Sequence, residues 1–318
     1  MQPTIQSQLQ AYEDHLILKN FSLATRKMYL RTLKKFLRFA ARKHPRSSID
    51  QDLARKYILY RHKNGSSWST INCDYSSLRK YFRQVIYSDW SLKKMPRPRK
   101  DLSLPQTLSL QDVTNLINAA ATYKHQIFIT FVYATGLRLS EACNVTFDDI
   151  DRNRLQIRVR KGKGAKDRYI RIPPTLIAIL TQYYRTLKPQ KFLFNGYTKG
   201  QRYCPSSGQW TMRQARKNAN ITKQASVHTL RHAYATHHLE AGTDLVYLKK
   251  QLGHKHLKTT ERYIHLCAHR KTKVIHPIDL IQENICWMNP SATSSGNMEK
   301  NTSASLNLLS STSSLSVP

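Results

Sequence analysis

"RLQIRVRKGKGAKDRYIRI", residues 154–172, is where the chain changes its period. Leu155, Ile157 and Val159 alternate with polar residues, and Ile170 and Ile172 alternate again after the loop 161–167. Successive side chains of a strand point to opposite faces, so each run would present one apolar and one polar face. The two runs, joined by a glycine-rich basic connection, predict a β-hairpin with a cationic tip. Elsewhere the apolar residues recur at helical spacing. The expected fold is therefore mainly α with a small β-sheet.

Upstream of the hairpin lies "KHQIFITFVYATGLRLSEACNVTFDDID" (124–151). Its apolar run suits a buried helix, which Gly136 would end or kink just before Arg138. "SLQDVTNLINAAAT" (109–122) predicts a helix capped by Ser109, with Asp112 in its first turn. "KKMPRPRKDLSLPQTLS" (93–109) holds three prolines and many charges, and reads as a linker. Residues 5–90 read as helical. In "LATRKMYLRTLKKFLRFAARK", Leu23, Met28, Leu30, Leu33, Phe36, Leu37 and Ala40 form an apolar stripe, and Ser22 is placed to cap it. "WSTINCDYSSLRKYFRQVIY" repeats the design with Ile71, Tyr75, Leu78, Phe82 and Val85. Downstream, helical patterns resume to about residue 285. The segment from Pro290 holds ten serines in 29 residues and little charge, and is expected to be disordered. The divisions that follow are a helical region 1–94, a linker 95–108, a second domain 109–288 and a Ser-rich tail 289–318.

Lys and Arg number 52 against 19 Asp and Glu, a formal net charge of +33. Such an excess repels itself and opposes folding, so it points to a polyanionic partner. A membrane surface is the weaker reading, because the sequence has neither an apolar run of about 18 residues nor a signal-peptide pattern. Residues 1–100 alone hold 22 Lys and Arg against 6 Asp and Glu, so the charge is spread along the chain. The five cysteines are odd in number and none lies in a CxxC spacing. That argues against a disulfide framework or zinc ribbon and fits a reducing cytoplasm.

Chemistry concentrates late in the chain. Nine of the thirteen histidines lie between 228 and 276. His228 and His232, four apart on a helix, invite a metal reading. The segment lacks the Glu of an HExxH site, however, and the cation Arg231 stands between the two histidines. A phosphodiester suits this set better. Arg138 and Arg231 can grip a phosphate through paired planar donors. Lys163, on the glycine-rich tip, can protonate a leaving oxygen, and Lys161 and Lys166 share that tip. His228 and His254 can assist a proton transfer or bond a non-bridging oxygen. Tyr263 supplies a nucleophile. Its phenol is weakly nucleophilic at the ordinary pKa of about 10, and nearby cations favour the phenolate. A phosphotyrosyl ester would keep the energy of the broken bond, so resealing would need no ATP.

"ATGLRLSE" (134–141), "GKG" (162–164), "HTLRH" (228–232), "LGH" (252–254) and "TTERYIH" (259–265) occur in that order. They resemble the motifs of the tyrosine recombinase family, which includes phage integrases and the Xer recombinases. The likeness is strong over about residues 105–275 and is looser for the basic N-terminal region. Position by position, it implies that Arg138, Lys163, His228, Arg231, His254 and Tyr263 are the catalytic set. Glu141 would orient or pair with Arg138 and is left outside that set. The resemblance further implies a two-domain C-shaped DNA clamp, with a helical SAM-like core-binding domain and a mixed α/β catalytic domain. It implies cleavage and rejoining of double-stranded DNA through a 3′-phosphotyrosyl link, with no metal or other cofactor. The working form would be a homo-tetramer on two duplexes that exchanges a C-terminal helix near 277–287. No membrane is involved, and the setting would be the bacterial cytoplasm at the nucleoid. Residues 228–266 look most like recombinases of mobile elements. The competing readings are a catalytically silent DNA-binding regulator of the same fold and a topoisomerase-like relaxing enzyme.

The charge alone yields one expectation. Binding to non-cognate duplex DNA should weaken steeply with salt, because each neutralised phosphate releases counterions. A titration giving log K independent of log salt would contradict it.

Overall fold

The computed structural model describes residues 4–88, 90–91, 96–97, 107–160, 167–198, 200–254, 256–261, 263, 278 and 280–286. The chain forms two compact units, residues 1–103 and 104–318. Most of the expected linker 95–108 and all of the expected tail 289–318 lie outside the described residues.

The first unit is helical: α1 (Ile5–Leu18), α2 (Leu23–Lys43), α3 (Gln51–Lys63) and α4 (Trp68–Gln84). Each helix starts at a side-chain cap, which satisfies a backbone donor that the helix itself leaves unpaired. Thr4, Ser22, Asp50 and Ser67 accept from the backbone N–H groups of Ser7, Thr25, Leu53 and Thr70. In α2 the buried face is Thr32, Leu33, Phe36, Leu37 and Ala40, with Lys and Arg facing outward. Leu23 and Met28, read from the sequence as part of this stripe, are instead exposed. Periodicity reports which face of a helix is apolar, but not how far along it a partner extends. In α4, Ile71, Tyr75, Leu78 and Phe82 are buried, while Val85 serves as the half-buried C-cap. Among the described residues one carboxylate is sealed in this core: Asp74 accepts from Thr32 Oγ1 at 2.8 Å and from Arg61 Nε at 3.0 Å.

The second unit is built on α6 (Tyr123–Thr135), which follows the short α5 (Leu110–Asn118). Eleven of the thirteen residues of α6 are buried, as its uninterrupted apolar run requires. Its C-cap Gly136 has φ +60°, and a Cβ there would meet the Tyr234 ring at 2.5 Å, so only glycine fits. After α7 (Leu139–Ala142) comes a three-stranded sheet, β1 (Ile150–Asp151), β2 (Gln156–Val159) and β3 (Arg168–Arg171). β2 and β3 form the expected antiparallel pair, with Ile157 opposite Ile170 and Val159 opposite Arg168. The tip 161–166 lies outside the described residues. Two details differ from expectation. β1 adds a third strand, too short to show a period. Leu155 precedes β2 with φ +51° rather than opening the strand. Then follow α8 (Pro174–Leu187), α9 (Pro205–Asn218), α10 (Val227–Glu240), α11 (Leu245–Leu252) and α12 (Lys258–Glu261).

The C-terminal helix expected near 277–287 is replaced, among the described residues, by a single 3-10 turn at Gln282–Asn284. Ile278, Ile281 and Ile285 are buried in the unit's own core. Polar bonds fix this segment to α5 and α6: Asn118 Nδ2 donates to Asn284 O, Cys286 N to Asn118 Oδ1, and Gln126 Nε2 to Cys286 O. No described helix is long and apolar enough to cross a membrane.

Asp74→Ala would leave the Arg61 cation half-buried without its partner. Unfolding of the first unit in urea should then need about 3 kcal/mol less free energy, and an unchanged midpoint would show the pair to be idle.

Candidate active site

α10 carries the centre of the site. Arg231 is only 1% exposed, an extreme position for a cation. Its guanidinium is held by backbone oxygens at the ends of two helices. Nη1 donates to Gly136 O at 2.7 Å, and Nη2 to Leu252 O at 2.5 Å. Gly136 caps α6 and Leu252 is the last residue of α11. Helix C-termini expose unpaired carbonyls and the negative end of the helix dipole, so they suit a buried cation. Burial, then the nearby charge of Arg138, pulls the Arg231 pKa down to about 10, which leaves it charged at neutral pH.

Arg138 follows directly from the left-handed cap at Gly136. Its position is fixed by Glu141, one turn on. Glu141 Oε1 accepts from Arg138 Nη1 at 2.9 Å, and Oε2 from the Arg138 backbone N–H at 3.0 Å. The same two oxygens accept a fork from Arg168 at the start of β3, at 3.0 and 2.8 Å. Burial pushes the Glu141 carboxyl up, but the bonds and charge of Arg168, then Arg138, overcome it and hold the pKa at about 2. Arg168 in turn lies against Gly253, the left-handed C-cap of α11. A Cβ at Gly253 would stand 2.7 Å from Arg168 Nε. One side chain thus ties together α7, the foot of the hairpin and the α11–α12 turn.

His254 follows Gly253 at once. Its Nε2 lies 3.1 Å from Arg231 Nη2, and its Nδ1 lies 2.8 Å from Thr260 Oγ1. A guanidinium only donates, so Nε2 is the acceptor and Nδ1 carries the proton. Burial, then the charges of Arg231, Arg138 and Arg168, drives the His254 pKa down to about 3, so the ring is neutral. Tyr263 is buried just past α12, its ring parallel to that of His254 with centroids 6.4 Å apart. Its hydroxyl lies 2.8 Å from His232 Nδ1. The His232 ring meets that of exposed His228 edge to face, with centroids 4.3 Å apart.

The structure therefore brings Arg138, Arg231, His254 and Tyr263 within reach of one another's charge, with His228 beside them through His232. Lys163, the sixth residue of the expected set, lies outside the described residues. Among the described residues, no group of three His, Cys, Asp or Glu side chains is placed to hold a metal ion. Sequence reasoning missed Arg168, one of several basic residues around the hairpin with no distinguishing pattern. It considered His232 only as a metal partner of His228. Chemically, the cluster sets a phenol beside two guanidiniums, each with donors left for an anion. That suits nucleophilic attack on a phosphate whose developing charge is already compensated.

Known proteins resemble this chain over most of its length. The profile described as Phage integrase family matches residues 106–270, and that of the phage integrase N-terminal SAM-like domain matches 9–92. A Sinorhizobium fredii protein named as an integrase/recombinase (y4qK) is 32% identical over 273 residues, covering 86% of this chain and 88% of its own. Tyrosine recombinase XerA of Pyrococcus horikoshii is 28% identical over 277 residues, covering 86% of this chain and 94% of its own. Among solved structures, a lambda integrase dimer bound to a core site superposes with a TM-score of 0.68 at 17% identity. It covers 81% of this chain and 97% of that one, and the likeness is one of fold.

Glu141→Gln should cost about 3 kcal/mol at neutral pH, since it leaves two partly buried arginines short of their shared anion. The folded pKa lies below the ordinary glutamate value of 4.5, so the carboxylate's contribution is present above that value and lost as pH falls toward about 2. The stability gap between wild type and variant, followed by denaturation from pH 7 to 3, should narrow below pH 4.5. A constant gap would mean that the charge of Glu141 is not what matters.

Proposed function

The chain belongs to the phage integrase family, and from that premise we infer that it is a site-specific tyrosine recombinase using Tyr263 as its nucleophile. The observation that carries this reading is the placement of the Tyr263 phenol among Arg138, Arg231 and His254. In the proposed reaction Tyr263 Oη attacks the scissile phosphate of double-stranded DNA. A 3′-phosphotyrosyl ester forms and a 5′-hydroxyl leaves. Arg138 and Arg231 hold the non-bridging oxygens, with His228 as a further donor and His254 orienting the Arg231 guanidinium through Nε2. Lys163 protonates the departing oxygen. Attack by a 5′-hydroxyl from the partner strand reverses the step and frees the tyrosine. The fixed cations offset the transition-state charge, so this cycle calls on neither metal nor ATP.

Strand exchange needs two duplexes, and the proposed working unit is a homo-tetramer. The segment 277–287 is the element to be passed between protomers. Its apolar residues Ile278, Ile281 and Ile285 now fill its own chain's core, and a neighbour's copy would fill the same surface. The setting is the cytoplasm, at the nucleoid, and the user of the activity is a mobile element, a role supported by the S. fredii relative named as an integrase/recombinase.

Purified protein mixed in EDTA with nicked suicide duplexes tiled along the DNA beside its gene, then quenched in SDS, should carry covalent DNA. Tyr263→Phe should abolish the adduct, and an adduct surviving that change would assign the nucleophile elsewhere. Arg138→Ala should slow adduct formation by on the order of 100-fold or more while DNA binding persists. Arg231→Ala is the less clean variant, because it also releases the ends of α6 and α11.

A further inference from the structure

If the Tyr263 phenol is to attack, its proton must go somewhere, and the site's acceptors can be compared. Glu141 already takes four hydrogen bonds from two arginines and is held at about pKa 2. His254 has its acceptor nitrogen on Arg231 and is pulled to about pKa 3. Both are too weakly basic to draw a proton from a phenol near neutral pH. His228 meets the ring of His232 edge to face. Among the described residues His232 remains: its Nδ1 is 2.8 Å from Tyr263 Oη, within the reach a general base needs. It sits on α10, most of whose residues from 227 to 239 are buried, so the ring is presented from a rigid element. A phenol is protonated at neutral pH and donates, which makes a neutral His232 the acceptor, with its own proton on Nε2.

We propose that His232 is a catalytic residue whose Nδ1 takes the proton of Tyr263 during cleavage and returns it during rejoining. The inference rests on the reading of Tyr263 as the nucleophile. As Oη bonds to phosphorus, the bond from phosphorus to the 5′ oxygen breaks. The Oη proton moves to His232 Nδ1, and the 5′ oxygen takes a proton from Lys163. On rejoining, the 5′-hydroxyl returns its proton to Lys163, and the departing phenolate regains its own from His232. Among the described residues, the charged and titratable groups facing His232 are His228 from its own helix, His254 from the α11–α12 turn, and Tyr263 from beyond α12. The phosphodiester brings a negative charge into this set, which favours an imidazolium at the moment one forms.

The test is single-turnover adduct formation on a nicked suicide duplex between pH 5.5 and 9, with bound DNA checked by mobility shift. Wild type should rise with pH along one limb to a plateau, as a base in the site loses its proton. His232→Gln can still bond the hydroxyl but cannot accept its proton, and should be slower by about 100-fold without that limb. His232→Ala should be slow as well, and added imidazole should restore it. Variants as fast as wild type, or faster, would make His232 a latch on the tyrosine and overturn the proposal. A slower variant that keeps the wild-type pH profile and ignores imidazole would reduce His232 to packing and also overturn it. An adduct formed by Tyr263→Phe would fail the nucleophile assignment itself, a separate outcome.

Discussion

The site is organised around a buried positive charge. Arg231 is sealed from water, and a cation in that position persists only if oxygen atoms replace its hydration. The chain supplies them from the blunt ends of α6 and α11. Those ends must therefore converge, and each must be terminated by a residue that turns the backbone sharply. Gly136 and Gly253 do so, and the turn at Gly253 sets His254 against the guanidinium while the turn at Gly136 brings Arg138 within reach of its charge. Holding one charge fixes the paths of two loops.

Around that cation the anionic side is spare. Glu141 alone bridges Arg138 and Arg168, with every oxygen occupied. Three guanidiniums thus surround one carboxylate, and the imbalance is what a phosphate corrects. The same bridge reaches β3, the strand that leads back to the glycine-rich tip. Whatever moves the foot of the hairpin also moves the partner of Arg138.

The large features could be read in the sequence because they rest on local rules. Gly136 ended α6 where the apolar run met it, Ser22 and Ser109 capped their helices, and the change of period at residue 156 announced β2. The mainly α fold with a small sheet followed from those signals, and the motif order pointed to the family. What stayed hidden depends on residues far apart in sequence. Arg168 meets Glu141 across 27 positions and Gly253 across 85. His232 meets Tyr263 across 31. No local period encodes such meetings, so Arg168 passed as one more basic residue and His232 as half of a metal pair. The exposed ends of the α2 stripe failed for a related reason, since a helix does not record where its neighbour stops.

Gly253 and Arg168 occupy volumes that exclude each other's alternatives. A side chain at 253 would need the space of the guanidinium, and a shorter residue at 168 would leave a hollow above the glycine and Glu141 without its fork. The two positions therefore form a single heritable unit. A lineage that alters one is driven to alter the other, and a chimera that draws its hairpin and its α11–α12 turn from different parents would inherit a clash or a gap at this point.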